Sequence, residues 1–350
     1  MMKRIALLFP GQGSQIVGMG KDLVKDFPYI APLYNQTDKV LKYPLTNLMF
    51  NGPSEELKQT DNTQPALLLH SFSILKIIEK ELGYCEINER SNDFTVSKEF
   101  INRFDFMLGH SLGEYSALAS SNSLSFYDAL QLVRQRGQLM KQAQPGIMAA
   151  LLSKKNMFES GSLEELKKIS NQLLSENIIC NISNINSPNQ IVISGSEEGV
   201  NKLIEIGKKN KLFVKSVKLE VSAAFHSELM KPCSDSFKII VDQVQFNTPE
   251  TKIISNVNCL PYSNIDRNNE LSIQSLLSKQ LSSTVNWSPS IQYCINEWKK
   301  ENLNDEDFCF VEMGSNNVLS ELLKQIYPNA KSKSIQSTND IKEFIKDFKK

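Results

Sequence analysis

The spacing of apolar and polar positions divides the chain into short segments of two kinds. Arg4 to Phe9 is an apolar run that stops at PGQGSQ, which predicts a strand entering a glycine-rich turn. Residues 21–50 carry helical spacing with polar interruptions. The stretch TQPALLLHSFSILKIIEKEL, residues 63–82, has a proline near its start, apolar residues at 3.6 spacing and charges at its end. It predicts an amphipathic helix. Residues 84–103 are polar and lack a long periodic stretch, as an exposed insertion would. FDFMLGHSLGEYSALAS then gives strand, tight turn and helix in quick succession, and Ser125 is placed to cap the helix that carries LVRQRGQLM.

The pattern changes between residues 147 and 221. IMAALLS reads as a strand and SLEELKKISNQLL as a helix; IICNIS and QIVISG are two strands joined by NINSPN. SEEGVNKLIEIGKK is a second helix and LFVKSVKLEV a closing strand. The order β-α-β-β-α-β is that of a small ferredoxin-like domain. Alternating strands and helices resume after about Val221. The predicted class is α/β, with a discontinuous large domain (residues 1–146 and 222–350) and a ferredoxin-like subdomain (residues 147–221) inserted in it.

Composition narrows the function classes. With 350 residues, 41% of them apolar, the chain can bury a large core. Lys plus Arg and Asp plus Glu both number 39, so the net charge is zero and gives no electrostatic case for nucleic acid or a membrane surface as main partner. No apolar run approaches the roughly 20 residues of a spanning helix. The opening MMKRIALLFPGQGSQ reads as a first strand rather than a signal peptide or presequence. The six cysteines lie far apart, which suggests neither a disulfide framework nor a zinc site and fits a reducing compartment.

Gly109-His110-Ser111-Leu112-Gly113 is a Gly-x-Ser-x-Gly nucleophile elbow, with the strand before it and the helix after it that the motif requires. The turn exposes the Ser111 hydroxyl and points the Leu112 N–H at the oxygen that turns negative in acyl transfer. A serine needs a base, and the chain has three histidines. His70 falls inside the apolar helix. His110 adjoins Ser111, where neighbouring side chains diverge. His226, in VSAAFHSEL after a strand, is left as the base by elimination. No acidic residue stands out as a third member, and a carbonyl could orient the ring instead.

Several segments together resemble the malonyl-CoA:acyl carrier protein transacylase family: FPGQGSQ (9–15), TQPALL (63–68), GHSLGEYSAL (109–118), VRQRG (133–137), NSPNQIVISG (186–195), AAFHSELM (223–230) and KQLSSTVNW (279–287). The resemblance covers nearly the whole chain. It implies a hydrolase-like large domain with a ferredoxin-like insert, and Ser111 and His226 as a dyad. It also implies that the main-chain carbonyl at Gln280 orients the histidine and that the Gln12 N–H completes the oxyanion hole with that of Leu112. Arg136 matches the arginine that holds the malonyl carboxylate; a guanidinium suits that task because it grips a carboxylate through two parallel hydrogen bonds. Arg134 reads as a surface residue, and only the resemblance chooses between the two arginines.

The activity so implied is ping-pong transfer of malonyl from malonyl-CoA, a substrate, to the phosphopantetheine thiol of an acyl carrier protein. It needs no metal or cofactor, and the family resemblance favours a monomer. Lys208, Lys209, Lys211, Lys215 and Lys218 form the densest basic run and could meet an acidic carrier. A serine esterase or thioesterase, an acyltransferase for another acyl group and an inactive carrier-binding scaffold are the alternatives. The insertion at 84–103 resembles eukaryotic members and points to the mitochondrial matrix, with the cytoplasm as alternative.

Overall fold

The structure is a computed structural model that describes residues 4–85, 94–221, 223–262 and 269–349. Five strands form a parallel sheet in the order β7-β2-β1-β8-β9: β1 (Arg4–Phe9), β2 (Phe106–Gly109), β7 (Lys252–Ile254), β8 (Phe308–Met313) and β9 (Lys331–Ile335). Side chains alternate across a strand, and both faces of this sheet are covered. Ile5, Leu7 and Phe9 of β1 enter the core on one face, together with Met107, Val311 and Met313. Ala6 and Leu8 enter the core on the other, with Phe106, Leu108, Phe308 and Phe310. A strand buried on both sides has to read as a continuous apolar run, as RIALLF does.

The long helix runs Thr60–Glu81 and is buried from Thr60 to Glu79. The expectation of an amphipathic helix is corrected here: the helix is enclosed by the sheet, the helix Phe126–Lys141 and the C-terminal helix Thr338–Phe348, so no face is left for solvent. Its buried Lys76 and Glu79 pair with each other and hold main-chain atoms of Thr95 and Ser97. The exposed insertion expected at 84–103 also changes. Residues 86–93 of it lie outside the described residues. Phe94, Val96, Phe100 and Ile101 are buried in the main core; four apolar anchors among polar neighbours have no period to betray them.

The second sheet is antiparallel, in the order β4-β5-β3-β6: β3 (Ile147–Leu152), β4 (Cys180–Ser187), β5 (Gln190–Gly195) and β6 (Lys215–Lys218). With the helices Ser162–Ser175 and Glu197–Lys209 it forms the βαββαβ unit. The expected NINSPN connection is mostly strand, since β4 continues to Ser187 and leaves Pro188 and Asn189 for the turn. Its polar side chains hid it; Asn184 and Asn186 face the cavity, and Ser187 is buried against Gln325. Ala149, Leu151, Ile191 and Ile193 pack under the two helices. Met148, Ala150, Asn184, Asn186 and Val192 turn the other way and line a cavity of about 900 Å³. β4 is also tied to the large domain, through Ile185 N–H to Val285 O and Val285 N–H to Ser183 O.

Candidate active site

The cavity lies between the helix-free face of the small sheet and the C-terminal ends of β1 and β2, where ligands bind in open α/β sheets. β2 ends at Gly109 and the next helix starts at Gly113. Between them Ser111 has φ 51°, the left-handed conformation of an elbow serine. A Cβ on Gly109 would stand 1.8 Å from the Gly113 carbonyl carbon, and one on Gly113 would stand 2.0 Å from Phe9 O. Both glycines are therefore required, one to close the turn and one to let it lie against β1. Asn256, just past β7, straps the elbow: it accepts the Ser111 N–H at 2.7 Å and donates to Gly109 O at 2.7 Å.

Ser111 Oγ is 2.8 Å from His226 Nε2, and His226 Nδ1 is 2.9 Å from the main-chain carbonyl of Gln280. A carbonyl only accepts, so the ring proton sits on Nδ1 and the Nε2 lone pair faces the serine hydroxyl. Burial and the charge of Arg136 hold the His226 pKa down at about 3, which keeps the ring neutral. No acid is needed to set the tautomer.

Arg136 is 1% exposed and reaches the same serine: Nη2 lies 3.1 Å from Ser111 Oγ and 2.9 Å from Gln280 Oε1, and Nη1 lies 2.8 Å from Gln64 Oε1. The guanidinium sits 5.6 Å from the Tyr115 ring centroid, and its Nε has no acceptor among the described residues. Burial lowers its pKa from the usual arginine value. Neutral amides and a hydroxyl surround it where a carboxylate is the natural partner. Arg134, expected at the surface, is instead partly buried: it donates to Asp61 O at 2.6 Å and stacks 4.6 Å from the Tyr43 ring centroid.

Gln12 follows β1 and Leu112 follows the serine, and the pairing of Phe9 with Gly109 brings the two together at the cavity wall. The Gln12 side chain is held by Thr60 at 3.2 Å. Neither main-chain N–H has an acceptor within the protein among the described residues. His110 points away from the serine, with Nε2 2.9 Å from Asn186 Oδ1 on the small sheet. His70 is buried in the long helix, and burial lowers its pKa to about 4. Of the lysine run, Lys218 lies at the cavity wall with Lys58, and Lys208, Lys209, Lys211 and Lys215 are exposed beyond it.

Sequence reasoning missed Asn256, Gln64 and Glu114, as well as the contacts of the Gln280 side chain. TQPALL and GHSLGEYSAL contain Gln64 and Glu114, but nothing local points to their partners, 72 and 166 positions away.

The family model for the acyl transferase domain matches residues 101–338. A malonyl CoA-acyl carrier protein transacylase of Bacillus subtilis is 36% identical over 99% of this chain and 98% of its own length. One of Staphylococcus aureus is 35% identical over 97% and 98%. Among solved structures, an acyl-carrier-protein S-malonyltransferase of Bartonella henselae superposes with a TM-score of 0.82 at 30% identity, covering 99% of this chain and all of that one. A malonyl-transacylase in complex with its holo type II PKS acyl-carrier protein superposes with a TM-score of 0.81 at 28% identity, covering 98% and 99%. The curated relatives named here are bacterial, and the mitochondrial location expected from the insertion finds no support in them. No helix among the described residues is long and apolar enough to cross a membrane. The chain is an acyl transferase that belongs to the malonyl CoA-acyl carrier protein transacylase family.

Proposed function

We propose that this enzyme moves malonyl from coenzyme A to the phosphopantetheine thiol of an acyl carrier protein through a malonyl ester on Ser111. One observation carries the choice of acyl group: the buried Arg136 guanidinium, 3.1 Å from Ser111 Oγ and without a carboxylate partner. In the first half-reaction the Ser111 proton passes to His226 Nε2 as Oγ attacks the thioester carbonyl. The oxyanion is held by the N–H groups of Gln12 and Leu112, whose negative guest offsets the charge appearing on the ring. The tetrahedral intermediate expels the coenzyme A thiolate, which takes the proton back from His226. In the second half the carrier thiol gives its proton to His226, its sulfur attacks the ester, and Ser111 leaves as the alcohol. Through both halves Arg136 takes the malonyl carboxylate in a two-pronged hydrogen bond, and Gln280 and Gln64 aim it.

A hydrolase of neutral acyl groups has no use for a buried arginine at the serine, and an acetyl group would leave that cation unpaired. The protein acts as a monomer in this reading, since one chain supplies every group named. Its free thiols suit the cytoplasm. The exposed lysines from Lys208 to Lys218 form the basic face offered to an acidic carrier. Charge reversal at Lys208 and Lys209 weakens transfer to the carrier more than to free pantetheine, and equal effects would refute docking there.

The test is intact-protein mass spectrometry after brief mixing with malonyl-CoA or acetyl-CoA. Wild type gains a malonyl adduct, Ser111→Ala gains none, and Arg136→Ala shifts towards acetyl. Release of free malonate without an adduct, or a wild-type preference for acetyl-CoA, sinks the proposal.

A further inference from the structure

Glu114 is fully buried in the first turn after the elbow, and no step above uses it. Its oxygens meet donors only. Oε2 accepts from Gln280 Nε2; Oε1 accepts from the Tyr262 hydroxyl and from the Asn256 N–H at 3.3 Å. None of the ion pairs among the described residues includes it. The two partners on either side of it are the residues that hold the reacting groups. Asn256 straps the elbow. Gln280 donates to Ser111 O at 3.0 Å, accepts from Arg136 at 2.9 Å, and turns its main-chain carbonyl to His226.

A primary amide can point either way, and its partners decide which. A carboxylate accepts and never donates, so Gln280 must offer Glu114 its NH₂ group. Its oxygen is thereby left for Arg136, which donates and never accepts. We propose that Glu114 is a positioning residue for malonyl selection, fixing the sense of the Gln280 amide so that the amide oxygen aims the Arg136 guanidinium at the acyl group. This rests on the transacylase reading above.

Ser111 O accepts from the same NH₂ group at 3.0 Å, so without the carboxylate the sense of the amide rests on one neutral acceptor instead of two. Turned over, its NH₂ would face the guanidinium, donor against donor, and Arg136 would lose one of the two amide oxygens that aim it. Burial also raises the Glu114 pKa, against its three donors and the charge of Arg136, to about 7. The other titratable groups that face it are Tyr262, Tyr115, Cys259 and Arg136. Burial pushes the first three up, away from neutrality, and Arg136 stays charged. Protonation of Glu114 between pH 8 and pH 6 therefore loosens the same amide that a substitution would.

The experiment measures single-turnover ester formation from malonyl-CoA and acetyl-CoA at pH 8 and pH 6. The proteins are wild type, Glu114→Gln, Gln280→Met and the double variant, with melting temperatures recorded for each. At pH 8 Glu114→Gln lowers the malonyl-to-acetyl ratio about tenfold, the size of one charge-assisted hydrogen bond. It lowers the ratio no further in the Gln280→Met background. In wild type the ratio falls from pH 8 to pH 6, and in Gln280→Met it does not; this arm stands even if Glu114→Gln fails to fold. An equal loss for both thioesters, additive effects in the double variant, or a wild-type ratio flat between pH 8 and pH 6 overturns the inference. A wild type that forms no malonyl ester at any pH overturns the transacylase reading itself.

Discussion

The two sheets that enclose the cavity are built on opposite terms. The parallel sheet is apolar on both faces and ends in a turn so tight that a single added Cβ would meet backbone at 1.8 Å. The antiparallel sheet packs one face under its helices, and its other face sets Asn184, Asn186 and Gln190 among the apolar Met148, Ala150 and Val192 at the cavity. The first therefore fixes a reacting atom by packing, which leaves it no alternative position. The second surrounds the acyl-thioester path with side chains that can exchange hydrogen bonds with what passes. Rigid floor and adaptable roof divide the work between placing the nucleophile and admitting two different thiols.

That division is easiest to break at the floor. Ser111→Ala is expected to lower turnover by at least about 10³-fold with little change in melting temperature, because the hydroxyl does chemistry and not packing. Steady-state rates with a coupled thiol assay check it. Gly109→Ala is expected to be a stability variant: overpacking the turn costs about 3 kcal/mol or more, read as a lower midpoint in urea. A Gly109→Ala protein as stable as wild type would mean the elbow is looser than its geometry indicates.

The roof should respond more gently. Asn186→Ala removes the partner of His110 Nε2 without touching Ser111 or His226, so KM for the thioester rises by a few fold while kcat holds within about twofold. A collapse of kcat equal to that of the floor variants would erase the distinction between the sheets.

The smallest effect concerns acid. His226 and His70 are buried and neutral, with folded pKa values lowered to about 3 and about 4. Unfolding frees them to take protons below their ordinary value of about 6.5. The stability tied to their burial is therefore complete above pH 6.5 and is lost as pH falls towards those lowered values. Glu114 acts in the opposite sense: with its folded pKa raised to about 7, its contribution is present at low pH and is lost as pH rises towards 7. His226→Gln should flatten the fall in melting temperature between pH 6.5 and pH 5, with no change above pH 7. An unchanged slope would show that other groups govern the acid limb.

What the sequence carried was whatever is local. RIALLF, the elbow and each single element of the βαββαβ unit declare themselves within a short stretch, because strand period, turn glycines and capping are short-range physics. The enclosure of the helix Thr60–Glu81 was not legible, since 3.6 spacing marks one apolar face and says nothing of what covers the other. The base and its orienting carbonyl come from segments 115 and 169 positions from Ser111. His226 was reachable because histidines are scarce, whereas Asn256 and Gln64 belong to residue types too common for elimination to single them out.

The proton on the base is held by a main-chain oxygen, and that has a consequence for anyone mapping this site by substitution. Replacing Gln280 with any residue removes its amide contacts to Arg136 and Ser111 but leaves the carbonyl that faces His226 in place. A side-chain scan would find a serine and a histidine and report that nothing supports the second. The third partner would come to light only through backbone chemistry, such as an ester in place of the peptide bond that follows Gln280.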